Sequence, residues 1–137
     1  MASIGNIAAR FERMSTGAFL QSVKQKVAEG GLKLIGREFA EERDPYDKQW
    51  VPTESGPGKG HGKTLQKSGR LRSSFVAYPT AQGVRFFSSV PYARYHQSGT
   101  AKLPVRRMLP VSGQGLPRKW QEMIDAAVAK TAQEFSR

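Results

Sequence analysis

The sequence contains no cysteine and only two histidines among its 137 residues. Without cysteine, the chain can form neither a disulfide bond nor a thiolate metal site. The two histidines, His61 and His96, lie far apart and do not form the i,i+4 pair of a helical metal site. We therefore expect no structural metal and no cofactor.

Long apolar runs are absent as well. The longest extend over only a few residues, whereas a membrane-spanning helix needs about 20. The first residues, Met-Ala-Ser-Ile, lack the charged-then-apolar order of a signal peptide. We expect a protein that folds in the cytoplasm and does not enter a membrane.

A catalytic constellation is also missing. The sequence shows no acid pair at helical spacing in an apolar setting, and no serine, histidine and acid that its pattern brings together. Asp44 and Asp47 are close in the chain, but loop carboxylates usually bond to nearby backbone amides and shape a turn. The chain is therefore predicted not to be an enzyme.

Positive charge, in contrast, is abundant. The chain has 22 Lys and Arg against 11 Asp and Glu, which leaves a formal net charge of +11. Such an excess either keeps the surface soluble or attracts phosphates and acidic protein surfaces. The length and the 38% hydrophobic content are ordinary for one globular domain. We expect an N-terminal arm over residues 1–14 and a single domain over residues 15–137.

One long amphipathic helix is predicted over residues 15–42, with Ser15 or Thr16 as its N-cap. Gly30 and Gly31 fall in its middle, so the helix either bends there or is packed closely by another element. The Asp-Pro pair that follows ends the helix. Its apolar stripe consists of Phe19, Val23, Val27, Leu34, Ile35 and Phe39.

The next segment combines an aromatic anchor with a glycine-rich loop. Trp50 and Val51 are predicted to fold back onto the end of the helix, beside Tyr46, because burying a large ring is favourable. Residues 53–63, TESGPGKGHGK, are predicted to form a long flexible basic loop. Gly-Lys-Thr follows, but Pro57 occupies the place of the first glycine of a phosphate-binding loop, so we expect no nucleotide site.

A β-hairpin is predicted in the middle of the chain. Residues 65–71 form a helical turn and lead into a strand over residues 71–78, and a second strand follows over residues 84–89. The run Pro-Thr-Ala-Gln-Gly between the strands is a turn signal. Residues 106–111 are expected to add a third strand.

A C-terminal helix is predicted after the breaker Ser-Gly-Gln-Gly at residues 112–115. Its apolar face consists of Leu116, Trp120, Ile124, Ala127, Thr131 and Phe135. The predicted fold class is therefore α+β. A small antiparallel sheet of about three or four strands is covered by the long N-terminal helix and the C-terminal helix.

Residues 91–110, PYARYHQSGTAKLPVRRMLP, have neither a helical nor a strand period. They begin with a helical turn that stops at a Ser-Gly corner. His96 is expected to fix this corner by hydrogen bonds to nearby backbone; the alternative role is that of a base. The Arg106-Arg107 pair either binds a phosphate or an acidic partner or forms a solvated strand edge.

Three motifs in this order resemble the bacteriophage virion-morphogenesis or tail-completion family typified by Mu-like phages. They are DPY at residues 44–46 with Trp50 and Pro52 following, LQKSGRLRSS at residues 65–74, and YARYHQSG at residues 92–99 followed by Pro-x-Arg. The chain has Asp47 where members of the family often have glycine. The residues to which the resemblance gives structural roles are Asp44, Pro45, Tyr46, Trp50, Ser68, Gly69, Leu71, Tyr92, His96, Gln97, Gly99 and Pro104.

The resemblance implies a structural virion protein that acts in tail completion or in the neck. Such a tail-terminator-like subunit forms a homo-oligomeric ring, a hexamer by the resemblance, which joins the tail to the head connector. The expected partners are further copies of the chain, tail tube, sheath or tail-terminator proteins, connector proteins and, without sequence specificity, genomic DNA. The expected location is the tail or neck of the virion, after assembly in the host cytoplasm.

The basic residues are the candidates for contacts with these partners. For the Arg106-Arg107 pair the resemblance favours a partner surface. The alternative function is a stand-alone nucleic-acid-binding protein, although the basic residues are scattered and no base-reading motif is present. The contact candidates are Lys59, Lys63, Arg94, Lys102, Arg106 and Arg107.

Overall fold

The computed structural model describes residues 17–51, 70–101 and 103–136, and over these ranges the chain is α+β. The predicted arm at residues 1–14, the loop at residues 53–63 and the helix cap at Ser15 or Thr16 lie outside them. No helix in the described ranges is long and apolar enough to cross a membrane. The elements are α1 (Gly17–Glu41), α2 (Arg70–Ser73), β1 (Phe75–Pro79), β2 (Val84–Ser88), α3 (Ala93–Ser98) and α4 (Arg118–Phe135).

Helix α1 forms where the apolar stripe predicted it and buries that stripe. It ends because Glu42 adopts a φ of 55°, which turns the backbone out of the helix. The amide of Arg43 then donates to the carbonyl of Glu38 at 3.1 Å and closes the last turn. The buried members of the predicted stripe are Val23, Val27, Ile35 and Phe39.

The glycine pair in α1 marks a close contact between elements. A Cβ atom at Gly31 would overlap the ring of Phe86 and lie 3.0 Å from the ring of Trp120. A Cβ atom at Gly30 would lie 2.7 Å from Cγ of Met123. The two glycines therefore let β2 and α4 approach the backbone of α1, which is the second of the two predicted alternatives.

The hairpin has the predicted turn but a shorter first strand. β1 and β2 pair antiparallel, from Phe75 opposite Ser88 to Pro79 opposite Val84. The expected start of β1 at Leu71 is wrong, because residues 70–73 are helical. The hydroxyl of Ser74 donates to the carbonyl of Leu71 at 2.6 Å, so the backbone is closed into a turn just before the strand.

The predicted third strand does not form, and the described residues contain a sheet of two strands. The amides that residues 106–111 would offer to a neighbouring strand are bound elsewhere. Arg106 donates to the carbonyl of His96 at 2.7 Å. Met108 and Leu109 donate to the side chain of Gln97. The segment is therefore extended and anchored, but it is not part of the sheet.

Helix α4 packs mainly along α1, so the expectation that both helices cover the sheet is only partly correct. Trp120 is the link to the sheet, since its ring meets Phe86 of β2 edge-on at 5.1 Å. Phe135, near the end of α4, meets Phe19 at the start of α1 at 5.5 Å. Leu116 precedes the helix and is 51% exposed, so it does not belong to the buried face.

Candidate contact surface

Asp44 shapes the corner that follows α1. Its Oδ1 accepts hydrogen bonds from the amides of Tyr46 and Lys48, both at 2.8 Å, so the predicted turn role is confirmed. The hydroxyl of Tyr46 donates to the carbonyl of Gly115 at 2.9 Å and accepts from the amide of Val111 at 3.1 Å. The corner therefore holds the chain on both sides of the breaker before α4.

Asp47 occupies the position where the family often has glycine, and its φ is 67°. This left-handed conformation is one that glycine adopts without strain. The carboxylate accepts a hydrogen bond from Nζ of Lys119 on α4 at 2.8 Å. This bond lowers the pKa of Asp47 below its ordinary value.

Trp50 is a core residue, as predicted. It is buried and its ring meets Phe39 edge-on at 5.2 Å. Its Nε1 donates to the carbonyl of Arg107 at 2.8 Å, which ties the end of α1 to the segment after α3. The prediction that Val51 folds back with it is wrong, because the side chain of Val51 is exposed. The backbone carbonyl of Val51 accepts a hydrogen bond from Nε of Arg106.

Gln97 on α3 fixes the segment that was expected to be a strand. Its Oε1 accepts from the amides of Met108 at 2.7 Å and Leu109 at 3.0 Å, and its Nε2 donates to the carbonyl of Leu109 at 2.8 Å. Gly99 ends the helix with a φ of 75°, and a Cβ there would lie 2.7 Å from Cγ2 of Val105. Glycine at this position therefore satisfies both the backbone and the packing.

The side chain of His96 does not play the predicted role. Its Nδ1 is buried and has no hydrogen-bond partner among the described residues. Burial, followed by the charge of Arg106, lowers the pKa of the imidazole below its ordinary value. The corner is fixed instead by the backbone carbonyl of His96 and by the side chain of its neighbour Gln97.

The other motif residues also have structural positions. Pro45 and Leu71 are buried, Pro104 is half-buried, and Tyr92 is exposed and meets the His96 ring at 6.1 Å. Ser68 and Gly69 lie outside the described residues. Trp50 and Tyr46 therefore connect the Asp44 corner to the chain after α3, at Arg107 and Val111.

The two adjacent arginines of the basic candidates differ in their surroundings. Arg106 is buried and its Nε donates to the carbonyl of Val51 at 2.7 Å, so the expectation of an exposed Arg106 is wrong. Its burial lowers the pKa of the guanidinium below its ordinary value. Arg107 is half-buried and Arg94 is exposed. Lys59, Lys63 and Lys102 lie outside the described residues and stay predictions.

Glu38 is a buried carboxyl that sequence reasoning missed. Nε1 of Trp120 donates to its Oε1 at 3.3 Å, whereas Oε2 is buried and has no partner among the described residues. Burial raises the pKa of Glu38 from 4.5 to about 9, so the group is neutral at pH 7. The signal was its position within the apolar stripe, directly before Phe39.

The outer face of the hairpin is an exposed surface that the sequence reading did not single out. Val76 and Tyr78 on β1 are 42% and 41% exposed, although they are apolar or aromatic. Tyr78 meets Phe87 edge-on at 5.8 Å, and the guanidinium of Arg85 lies 5.5 Å from the centre of the Phe87 ring. We call Val76, Tyr78, Arg85 and Phe87 the arginine–aromatic face.

Helix α3 carries a second arginine next to an aromatic ring, beside the hairpin. The guanidinium of Arg94 lies 5.0 Å from the centre of the exposed Tyr95 ring. Arg94 and Phe87 border the same cleft, so the two groups adjoin. Within the described ranges, neither Arg85 nor Arg94 forms an ion pair with a carboxylate. The described residues also contain no cluster of three or more side chains suited to hold a metal ion.

The chain matches the profile of a known protein family. The profile of the phage virion morphogenesis family matches residues 6–130. Neither the curated proteins nor the solved structures contain a significant match to the chain. The matched range includes the Asp44 corner, the hairpin, α3 and most of α4. The chain belongs to the phage virion morphogenesis family, whose members have a structural or assembly role in the phage virion.

Proposed function

We propose that this protein is a structural subunit of tail completion, acting in the neck where the phage tail meets the head connector. The observation that carries the proposal is the family match, which spans residues 6–130 and therefore nearly the whole described fold. The motifs of the resemblance support it, because the Asp44 corner, Trp50 and Gln97 hold the fold together. Such residues specify the shape of the fold.

The arginine–aromatic face supplies a surface suited to contact with a neighbouring subunit. Tyrosine, phenylalanine and arginine are enriched in protein interfaces and dominate their binding energy. Exposed aromatic side chains on a sheet face are not explained by core packing, since α1 covers the opposite face of the hairpin. In the proposed neck, this face binds a neighbouring copy or a tail protein.

We further propose that several copies form a ring, a hexamer by the family resemblance, at the head-proximal end of the tail. The ring contacts tail tube, sheath or tail-terminator proteins on one side and connector proteins on the other. The net charge of +11 supports a position around the DNA path, where it would give contacts that depend on salt and not on base sequence. Before it meets the tail, the subunit is expected to be monomeric or weakly associated.

Complementation of a phage that lacks the gene tests the proposal. The double variant Arg85→Ala, Arg94→Ala removes the guanidinium groups that lie beside the rings of Phe87 and Tyr95. It should lower infectious yield by at least about tenfold if each contact contributes about 1 kcal/mol or more in every copy. Electron microscopy should show unjoined heads and tails. Lys33→Ala with Lys130→Ala is the matched control, because it removes the same charge from exposed positions of α1 and α4.

Circular dichroism of both double variants checks that the fold is kept. Normal joining by the Arg85 and Arg94 variant would exclude the arginine–aromatic face as the contact. If phage without the gene made joined particles, or made no tails at all, the protein would act at a different stage and the proposed place in the neck would be wrong.

A further inference from the structure

The outer edge of β2 has backbone groups that face away from β1. Thr80 and Gly83 exchange backbone hydrogen bonds at 2.7 and 3.3 Å, and the amide of Ser89 donates to the carbonyl of Ser74 at 3.4 Å. In an antiparallel pair such bonded positions alternate, so Arg85 and Phe87 are also bonded to β1. Residues 84, 86 and 88 therefore direct their amides and carbonyls outward.

Two clefts run along this edge. One, of about 550 Å³, is lined by Val84 and Phe86, and the other, of about 470 Å³, by Phe86 and Ser88. Leu109 lines both clefts, and Pro110 and Met108 line one each. β2 and residues 108–110 therefore border the same two clefts, and a third strand beside β2 would enter them.

The other edge of the hairpin is partly blocked. Pro79 stands opposite Val84, a position between the bonded pairs, so its nitrogen faces away from β2. Proline has no amide hydrogen, so this edge lacks one of the hydrogen-bond donors that a further strand would need. The β2 edge has all three of its outward amides, and it adjoins the two clefts.

The charges around the clefts indicate which kind of strand they accept. The charged side chains that line them are Lys24 in the first cleft and Arg94 in the second, and no described carboxylate lines either one. Lys24 donates to the carbonyls of Thr80 and Ala81 at the turn, whereas Arg94 lies near the other end of β2. A segment that carries carboxylates complements these two cations, whereas this chain has a net charge of +11.

We propose that β2 accepts an extended acidic segment of another protein as the third strand of the sheet. The segment pairs its backbone with residues 84, 86 and 88 and places apolar side chains between Phe86 and Leu109. A carboxylate near each end meets Lys24 or Arg94. This is strand addition, in which backbone hydrogen bonds give affinity and alternate side-chain pockets give specificity. The inference rests on the geometry of β2 and holds wherever in the virion the protein acts.

Amide hydrogen exchange of the full chain, measured residue by residue by NMR, tests the proposal. The probe is the acetylated and amidated peptide EVTVTVE, whose seven residues cover the length of β2. With the peptide at ten times its dissociation constant, the amides of Val84, Phe86 and Ser88 should exchange about tenfold more slowly. The amides of Arg85 and Phe87, already bonded to β1, should keep their rates.

Control peptides separate charge from backbone pairing. KVTVTVK should bind more weakly than EVTVTVE, and EVTVTVE with alternate amides methylated should not protect the three amides. Charge reversal by Lys24→Glu or by Arg94→Glu should weaken EVTVTVE and strengthen KVTVTVK. Lys130→Glu changes the net charge by the same amount, but Lys130 lies outside both clefts. This variant should therefore still bind EVTVTVE more tightly than KVTVTVK.

Four outcomes would overturn the proposal. Slow exchange of the three amides in the free, dilute protein would mean that a segment of the chain itself occupies the edge. Protection that grows with protein concentration would assign the edge to a second copy. Equal slowing at Arg85 and Phe87 would place the peptide elsewhere, and unchanged rates at roughly millimolar EVTVTVE would exclude strand addition.

Discussion

Gln97 pairs with Leu109 as a strand residue would, because its side-chain amide binds both the backbone N–H and the backbone carbonyl of Leu109, at 3.0 and 2.8 Å. A single glutamine thus replaces part of a strand. The side chain of Gln97 also accepts a hydrogen bond from the amide of Met108, a residue that is almost completely buried. Residues 91–110 therefore depend on this side chain for their shape.

Gln97→Ala should lower the free energy of unfolding by about 2 to 4 kcal/mol, because it leaves two amides and a carbonyl in a partly buried position without partners. Urea unfolding followed by circular dichroism measures the change. Gln121→Ala is the matched control, since Gln121 is exposed on α4 and bonds only to Asp125. Equal stabilities of the two variants would contradict the role assigned to Gln97.

Gly31→Ala should destabilise the protein by about 1 to 3 kcal/mol, because the added Cβ overlaps Phe86 and approaches Trp120. Gly36→Ala in the same helix should instead stabilise it by about 0.5 to 1 kcal/mol, since nothing lies within 4 Å of its Cβ. Thermal unfolding of both variants tests the pair. A stabilised Gly31→Ala would show that β2 and α4 do not pack as closely on α1 as described.

Glu38 should make stability depend on pH. Its pKa is about 9 in the folded state and near 4.5 when exposed, so between these values the folded state binds one proton more than the unfolded state. Stability therefore falls as the pH rises through this window, by up to about 1.4 kcal/mol per pH unit. Glu38→Gln should remove this fall, which urea unfolding between about pH 5 and 8 measures.

The exposed Glu122→Gln on α4 serves as the control for Glu38→Gln, because both variants remove one carboxyl group. It should keep the pH dependence of the parent protein. Parallel curves for the parent and for Glu38→Gln would mean that Glu38 titrates as an ordinary exposed carboxyl.

The two adjacent arginines should respond differently to truncation. Arg106→Ala should cost about 1 to 3 kcal/mol of stability, because the buried guanidinium holds the carbonyl of Val51. Arg107→Ala leaves the backbone carbonyl that Trp50 binds and should change stability by about 0.5 kcal/mol or less. Denaturation of the two single variants measures both values, and the reverse order would show that Arg107 is the anchored residue.

The sequence predicted the elements that depend on local periodicity. The apolar stripe of α1, the turn between β1 and β2 and the burial of Trp50 were all readable, because each follows from spacing or from the size of one side chain. The role of Asp44 in the turn was also predicted, because carboxylates in loops commonly accept hydrogen bonds from nearby backbone amides.

The third strand was predicted wrongly because side chains can supply the hydrogen bonds of a neighbouring strand, and no local pattern shows this. Nothing in the spacing of Gln97 and Leu109 indicates that the two residues pair. The burial of Arg106, in contrast, had a readable signal. Met108 is an apolar residue in an extended segment and is buried, and the alternation of side chains places Arg106 on the same side.

Pro79 has a consequence for what the free protein does at high concentration. Repeated edge-to-edge addition of copies would have to use the edge that carries Pro79, where one hydrogen-bond donor is missing, so such growth is disfavoured. Any pairing between two β2 edges would end with two copies. The fold thus combines an open strand edge with a lower tendency of the protein to grow into fibres before it reaches its place.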